Sequence, residues 1–185
     1  NLSLVSAVQG DEILSDLRIA LAVETRLERH QRVFLEVFIQ ANLPNIYGEE
    51  FATNEVRIKL NNNIQELFPL ALICCPRRWG KTFSTAWFVA CALMCLRNIR
   101  VVVFSPAQRQ SILFTEAVRA ALKLLATNGA EHGFKYTFEK NNKEELNVIN
   151  HRGDVNRLWA LPAKSDTTRG MSPHIIICEE AAAMP

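Results

Sequence analysis

The sequence predicts an α/β fold, a mostly parallel sheet packed with helices and preceded by a helical segment. Short apolar runs of strand length, at residues 70–74, 100–104 and 175–178, alternate with helical patterns. Strands apolar on both sides belong to parallel sheets covered on both faces. The first run passes through a short loop into Gly80-Lys81-Thr82 and then an apolar helix, the layout of a phosphate-binding loop. Before residue 45 the pattern is purely helical.

Over residues 9–40, Ile13, Leu14, Leu17, Leu21, Leu27, Phe34 and Phe38 recur at spacings of three, four and seven, with charged residues between. One long helix or two shorter ones fit this pattern. Pro44 and Gly48 are expected to end it. Residues 42–63 are rich in Asn and weakly periodic. They predict a loop or insert with a short helix near 55–60. The expected organisation is a helical segment (1–45), a loop or insert (46–69) and a core (70–185).

Within the core, residues 70–74 predict the first strand and 81–96 the helix after the loop. The β-branched run Arg100-Val101-Val102-Val103-Phe104 predicts a second strand. Pro106 then opens a helix over 108–127, which Asn128-Gly129 ends. Short strands are expected at 135–138, 146–150 and 157–160, separated by turns at Asn141-Asn142 and Arg152-Gly153. The last strand, 175–178, runs into Glu179-Glu180.

Composition sets outer bounds. The chain has 185 residues, 49% of them hydrophobic and 22% charged, which suits one globular domain. A net charge of +2 does not by itself indicate a nucleic-acid binder. Arg97, Arg100, Arg109, Arg119 and Lys123 are bunched in sequence. They form either a phosphate-facing patch or a solvated helix face. The 5 cysteines, an odd number without regular spacing, argue against a disulfide scaffold and for a reducing compartment. Cys91 and Cys95 are one helical turn apart, but no other ligand pair accompanies them, so packing is favoured over zinc. The first residue is Asn1, which suggests a fragment or a processed piece. No signal peptide is evident. The longest apolar stretch, 83–96, falls short of the roughly 18 residues of a membrane span.

The chemistry centres on the loop. Lys81, at the start of a helix and beside backbone N–H groups, suits the β- and γ-phosphates of a nucleotide. Thr82 offers a hydroxyl to Mg²⁺, and Gly80 lets the backbone approach the phosphates. Cys75 stands where the first Gly of the usual pattern belongs, so a chance Gly-Lys-Thr at a strand-to-helix turn is the competing explanation. Arg77 and Arg78 lie within the loop, where a guanidinium would stabilise charge developing on the γ-phosphate. A surface arginine paired with an acid is the plainer alternative. Trp79 packs under the helix or against a purine.

Glu179 and Glu180 follow the last strand directly. One carboxylate would hold Mg²⁺ and the second would polarise the attacking water. Solvated acids at the start of a following segment are the competing reading.

Cys75 to Thr82, C-P-R-R-W-G-K-T, resembles the Arg-containing deviant Walker A loop of the large terminase subunit, the DNA-packaging motor of herpesviruses and tailed phages. Thr168-Arg169-Gly170 ahead of I-I-I-C-E-E and a small-residue segment resembles that family's Walker B region. The likeness spans about residues 65–185. It implies a three-layer P-loop NTPase core of the RecA/ASCE type that binds ATP and Mg²⁺ and hydrolyses ATP to move double-stranded DNA into a preformed capsid. By the same likeness Lys81, Thr82, Gly80 and Arg78 bind the nucleotide, Thr82 and Glu179 serve the metal, and Arg77 and Glu180 are catalytic. Glu179 departs from the family's usual Asp. Gln31 is a candidate for the family's adenine-contacting Gln, and Gln65 is another. Residues 105–109 are placed near DNA by analogy with helicases.

The resemblance further implies a portal and a small terminase subunit as partners, a homo-oligomeric ring, no membrane association, and work inside the infected host, in the nucleus or cytoplasm. In that family a strand after Walker B lies between the P-loop strand and the Walker B strand, and a nuclease domain follows. The sheet here is therefore expected to lack that strand, and these 185 residues alone are expected to hydrolyse ATP negligibly. A superfamily 1 or 2 helicase-type translocase and a non-catalytic, degenerate NTPase module are the alternatives.

Overall fold

The computed structural model describes residues 8–163, 171–181 and 184. Two helices form the first segment, α1 (Gln9–Ala22) and α2 (Arg29–Ala41). The break between them is local chemistry. The Glu24 carboxylate accepts the Arg26 backbone N–H at 2.9 Å and its guanidinium at 2.7 Å, offering the chain an alternative to helical bonds. Gln31 then accepts the Glu28 N–H at 2.9 Å, starting α2 with half of a capping box.

The loop expected over 42–63 is mostly helical: α3 (Leu43–Tyr47) and α4 (Glu50–Asn61). Pro44 occupies the first turn of α3, where a missing N–H is harmless, and so starts a helix instead of ending one. Asn54 and Asn62 donate back to the carbonyls of Glu50 and Ile58 at 2.9 and 2.8 Å, so these asparagines decorate a helix instead of breaking it. Ile46, Tyr47 and Ile58 are buried and fix the segment to the body. At Gly10 a Cβ would fall 2.2 Å from the Tyr47 ring, so only glycine allows α1 this close to α3.

The strands are β1 (Arg100–Ser105), β2 (Thr137–Asn141), β3 (Glu145–Ile149), β4 (Val155–Pro162) and β5 (Ile175–Cys178). They form one sheet in the order β2-β3-β4-β1-β5. β1 pairs in parallel with β4 and β5, whereas β2-β3-β4 is an antiparallel meander. The sheet is therefore mixed, with its parallel part at the β5 side.

Residues 70–74 do not form the expected strand. They join no ladder among the described residues, and Leu70 and Leu72 are 83% and 85% exposed. Apolar character alone does not make a strand; backbone groups need a partner ladder. β5 is the edge of the sheet, and among the described residues no strand lies beyond it.

The helix after the loop, α5 (Lys81–Cys95), is buried from Ser84 to Cys95. It packs on α6 (Gln108–Asn128), on α1 and α2, and on the sheet, which explains why it is apolar all round. Val101, Val103, Leu146, Val148, Leu158, Ala160 and Ile175 point into this shared core. The opposite face of the sheet leaves Arg157 and Ile176 exposed. Coverage of both faces was expected. Among the described residues the additional helical layer instead lies outside α5, as α1 and α2.

α5 is fastened at its C-terminal end by β4. The buried Asn156 donates to the carbonyls of Leu93 and Leu96 at 2.7 and 2.8 Å and accepts the Ile99 N–H at 2.7 Å. Cys91 and Cys95 are free and buried, as packing cysteines should be. Cys74 and Cys178 are exposed, contrary to their apolar sequence surroundings. No described helix is long and apolar enough to cross a membrane.

Candidate functional site

Three chain segments meet at the C-terminal edge of the parallel strands. α5 begins there with Lys81 and Thr82, β5 ends there and delivers Glu179 and Glu180, and α6 begins there after β1. The C-terminal ends of parallel strands are where α/β sheets bind ligands, because helix N-termini with unpaired N–H groups collect there.

Gly80 caps α5 in left-handed backbone, φ +88, and Arg78 is also left-handed, φ +64. Positive φ values at alternate positions turn successive amides toward one side of a loop, as anion-binding nests do. The φ of +88 at Gly80 favours glycine, and a Cβ there would lie 2.4 Å from Gln31 Nε2, so any larger residue would also push that side-chain amide off the loop. Glu180 is left-handed too, φ +55. Strained backbone thus gathers on both sides of one site.

The central contact joins the two motifs. The Thr82 hydroxyl donates to the Glu179 carboxylate across 97 residues of sequence. Glu179 is seated by its backbone N–H, which donates to Phe104 O at 2.9 Å at the end of β1. Burial raises the Glu179 pKa, and the Thr82 hydrogen bond opposes that rise. The neighbouring Glu180 charge raises it further and Lys81 lowers it, and the balance lies above the ordinary carboxylate range. A half-buried carboxylate held against its preference is a poor structural group and a good cation ligand. The donor set of hydroxyl plus carboxylate suits Mg²⁺, which takes few protein oxygens and keeps waters. Among the described residues no group of three or more His, Cys, Asp or Glu could hold a metal.

Arg77 and Arg78 are exposed beside the loop, and among the described residues neither forms an ion pair. Gln31 is buried against the loop. Its Nε2 donates to Trp79 O at 3.4 Å, bracing α2 to the loop, while its Oε1 accepts the Glu28 N–H at the start of α2 itself. Trp79 sits among α2 side chains, with ring centroids 4.6 Å from His30 and 5.5 Å from Phe34. Packing, the plainer of its two expected roles, is what these contacts show. Gln65 is exposed.

The structure brings Gly80, Lys81, Thr82, Glu179 and Glu180 to one edge, with Gln31 behind the loop and Arg77 and Arg78 on its exposed side. Arg169 and Gly170 lie outside the described residues. The bunched basic residues separate. Arg100 opens β1 and Arg109 lies beyond its other end, in the first turn of α6, with the strand itself about 17 Å long. Arg119 is engaged by Asn141, so the five do not make one patch.

The sequence reading did not single out Gln110, whose Nε2 donates to Glu180 Oε2 at 3.3 Å. Its position in the first turn of a helix that follows a predicted strand was the one available signal. No known protein-family model and no curated protein matches this sequence.

Proposed function

We propose that the chain is the ATP-hydrolysing part of a viral DNA-packaging motor of the terminase large-subunit type. The observation that supports this most is the meeting of Thr82 with Glu179, beside Lys81 and Glu180. A chance Gly-Lys-Thr has no reason to find, 97 residues later, a pair of acids at the end of a parallel strand.

In this reading Lys81 and the amides around Gly80 bind the β- and γ-phosphates. Thr82 and Glu179 hold Mg²⁺, which when bound supplies positive charge to the phosphate oxygens. Glu180 orients a water and accepts its proton as that water attacks the γ-phosphorus, the bond from the γ-phosphorus to the β,γ-bridging oxygen breaks, and ADP and phosphate are released. Arg77 spreads over the exposed side of the phosphates and offsets the charge that develops there. Arg78, whose φ is positive, contributes its amide to the loop's concavity. Double-stranded DNA as cargo, and portal and small-subunit partners, rest on the sequence resemblance alone, carried by the loop at 75–82 and the region 168–180. Largely exposed, unpaired residues at 70–74 and a β5 edge with no neighbour among the described residues are what the resemblance leads one to expect if a strand belongs between them.

The test is ATP turnover by the full-length protein, as wild type, Lys81→Ala and Glu180→Gln, with and without double-stranded DNA. Turnover in the wild type, stimulated by DNA and reduced at least a hundredfold in both variants, is the expected result, in the range that general-base and phosphate-binding groups contribute. Equal rates in all three proteins would sink the catalytic reading.

A further inference from the structure

Glu180 has an unusual setting for a group asked to act on a water. It lies two residues beyond the end of β5, in left-handed backbone that long side chains seldom adopt. Its carboxylate is exposed and adjacent to that of Glu179, whose charge repels it. The two acids are held by different elements. Glu179 takes the Thr82 hydroxyl from α5, and Glu180 takes the Gln110 amide from α6.

The Gln110 amide is used at both ends. Its Oε1 accepts the Ala107 N–H at 3.2 Å, closing the start of α6, which leaves the Nε2 end pointing at Glu180. A neutral donor suits a carboxylate that must remain a base. It engages one oxygen, fixes the side-chain torsions, and does not tie up the charge as a guanidinium would.

We infer that Gln110 is the positioning residue for Glu180, holding its carboxylate at the strand edge with one oxygen left for water. This rests on the assignment of Glu180 as general base. Because the amide belongs to α6 and the glutamate to the end of β5, this bond ties the position of Glu180 to that of the β1–α6 corner.

The experiment separates positioning from helix capping. Gln110→Glu keeps an acceptor for the Ala107 N–H, and an acid in the first helical turn is favourable. It nonetheless replaces the donor to Glu180 with a second negative charge. Gln110→Ala removes both bonds. In the full-length protein both variants should lower kcat for ATP about tenfold, a fraction of what a general base supplies. KM for ATP should stay within about twofold because neither phosphate nor metal ligands change. Gln110→Glu should melt at or above the wild-type temperature. A second readout needs no turnover. The Gln110 side-chain amide resonance should move toward that of solvated glutamines when Glu180 is changed to Ala.

A Gln110→Glu protein with wild-type kcat, or an unmoved amide resonance, would overturn the inference and leave Gln110 a helix cap. If the wild type turns over no faster than Lys81→Ala, the ATPase reading itself fails, and the positioning role falls with it.

Discussion

Asn156 is where one side chain decides how firmly α5, and so the candidate loop, is held. It is 0% exposed and makes three hydrogen bonds between β4 and the end of α5. Truncation by Asn156→Ala strands two buried groups. The Ile99 N–H loses its acceptor and Leu93 O its donor, while Leu96 O keeps Asn150 Nδ2 at 3.1 Å. Each buried orphan costs about 1–3 kcal/mol, so the two together cost about 2–6 kcal/mol, and a loss of about 3 kcal/mol is expected once the chain around them relaxes. For a domain of this size that is a fall in Tm of about 6–12 °C. Urea unfolding followed by far-UV circular dichroism measures it, with an unchanged m-value showing that the transition is comparable.

Asn147→Ala is the internal control. Asn147 is nearly as buried, but its Oδ1 is already without a partner and its Nδ2 makes one long bond of 3.3 Å to Glu139. Its loss should therefore be well under half that of Asn156. A cost below about 1 kcal/mol for Asn156→Ala, or equal costs for the two variants, would refute the claim that this cap fastens the helix.

Two further outcomes follow from charges at the site and at the α1 junction. Glu179 has a raised pKa in the folded chain, so it weakens folding once pH passes its unfolded value near 4 and increasingly as it ionises. Glu179→Gln should accordingly raise Tm at pH 8 and have little effect at pH 4, while abolishing turnover in the full-length protein; a lower Tm at pH 8 would contradict the assignment. His151 is held below its ordinary value, mainly by burial and then by the Arg152 charge, against the pull of Asp16. Its folded pKa is the lower one, so stability is full above about pH 6.5 and declines as pH falls through the folded value. His151→Gln should flatten that decline between about pH 7 and 5 in a thermal-melt series, and an unchanged slope would remove His151 as its source.

Much of the fold was legible in the chain. Helices α1, α5 and α6 and strands β1 and β5 stand close to where periodicity and apolar runs place them. The misreadings share a cause. Over 42–63, Asn and Pro counted as breakers, yet Pro44 fits a first turn, and Asn54 and Asn62 bond to the preceding turn. Residues 70–74 have the composition of a buried strand but no neighbour to pair with among the described residues, so apolarity produced no strand and left Leu70 and Leu72 in solvent. Pairing is a relation between segments and cannot be scored within one. The antiparallel direction of β2 and β3 escaped the reading for the same reason.

For the candidate site, the chain alone determined the chemical groups: Gly80-Lys81-Thr82 at a helix start and Glu179-Glu180 at a strand end. Both are local, because a helix N-terminus and a strand terminus are set by nearby residues. Their meeting was not local. Only the parallel pairing of β5 with β1 brings Glu179 to the hydroxyl of Thr82, and only the packing of α6 beside α5 aims Gln110 at Glu180. The sequence supplied the reactive groups because residue identity and backbone tendency are short-range. The tertiary structure decided which group holds which, because a hydrogen bond depends on distance in space and not along the chain.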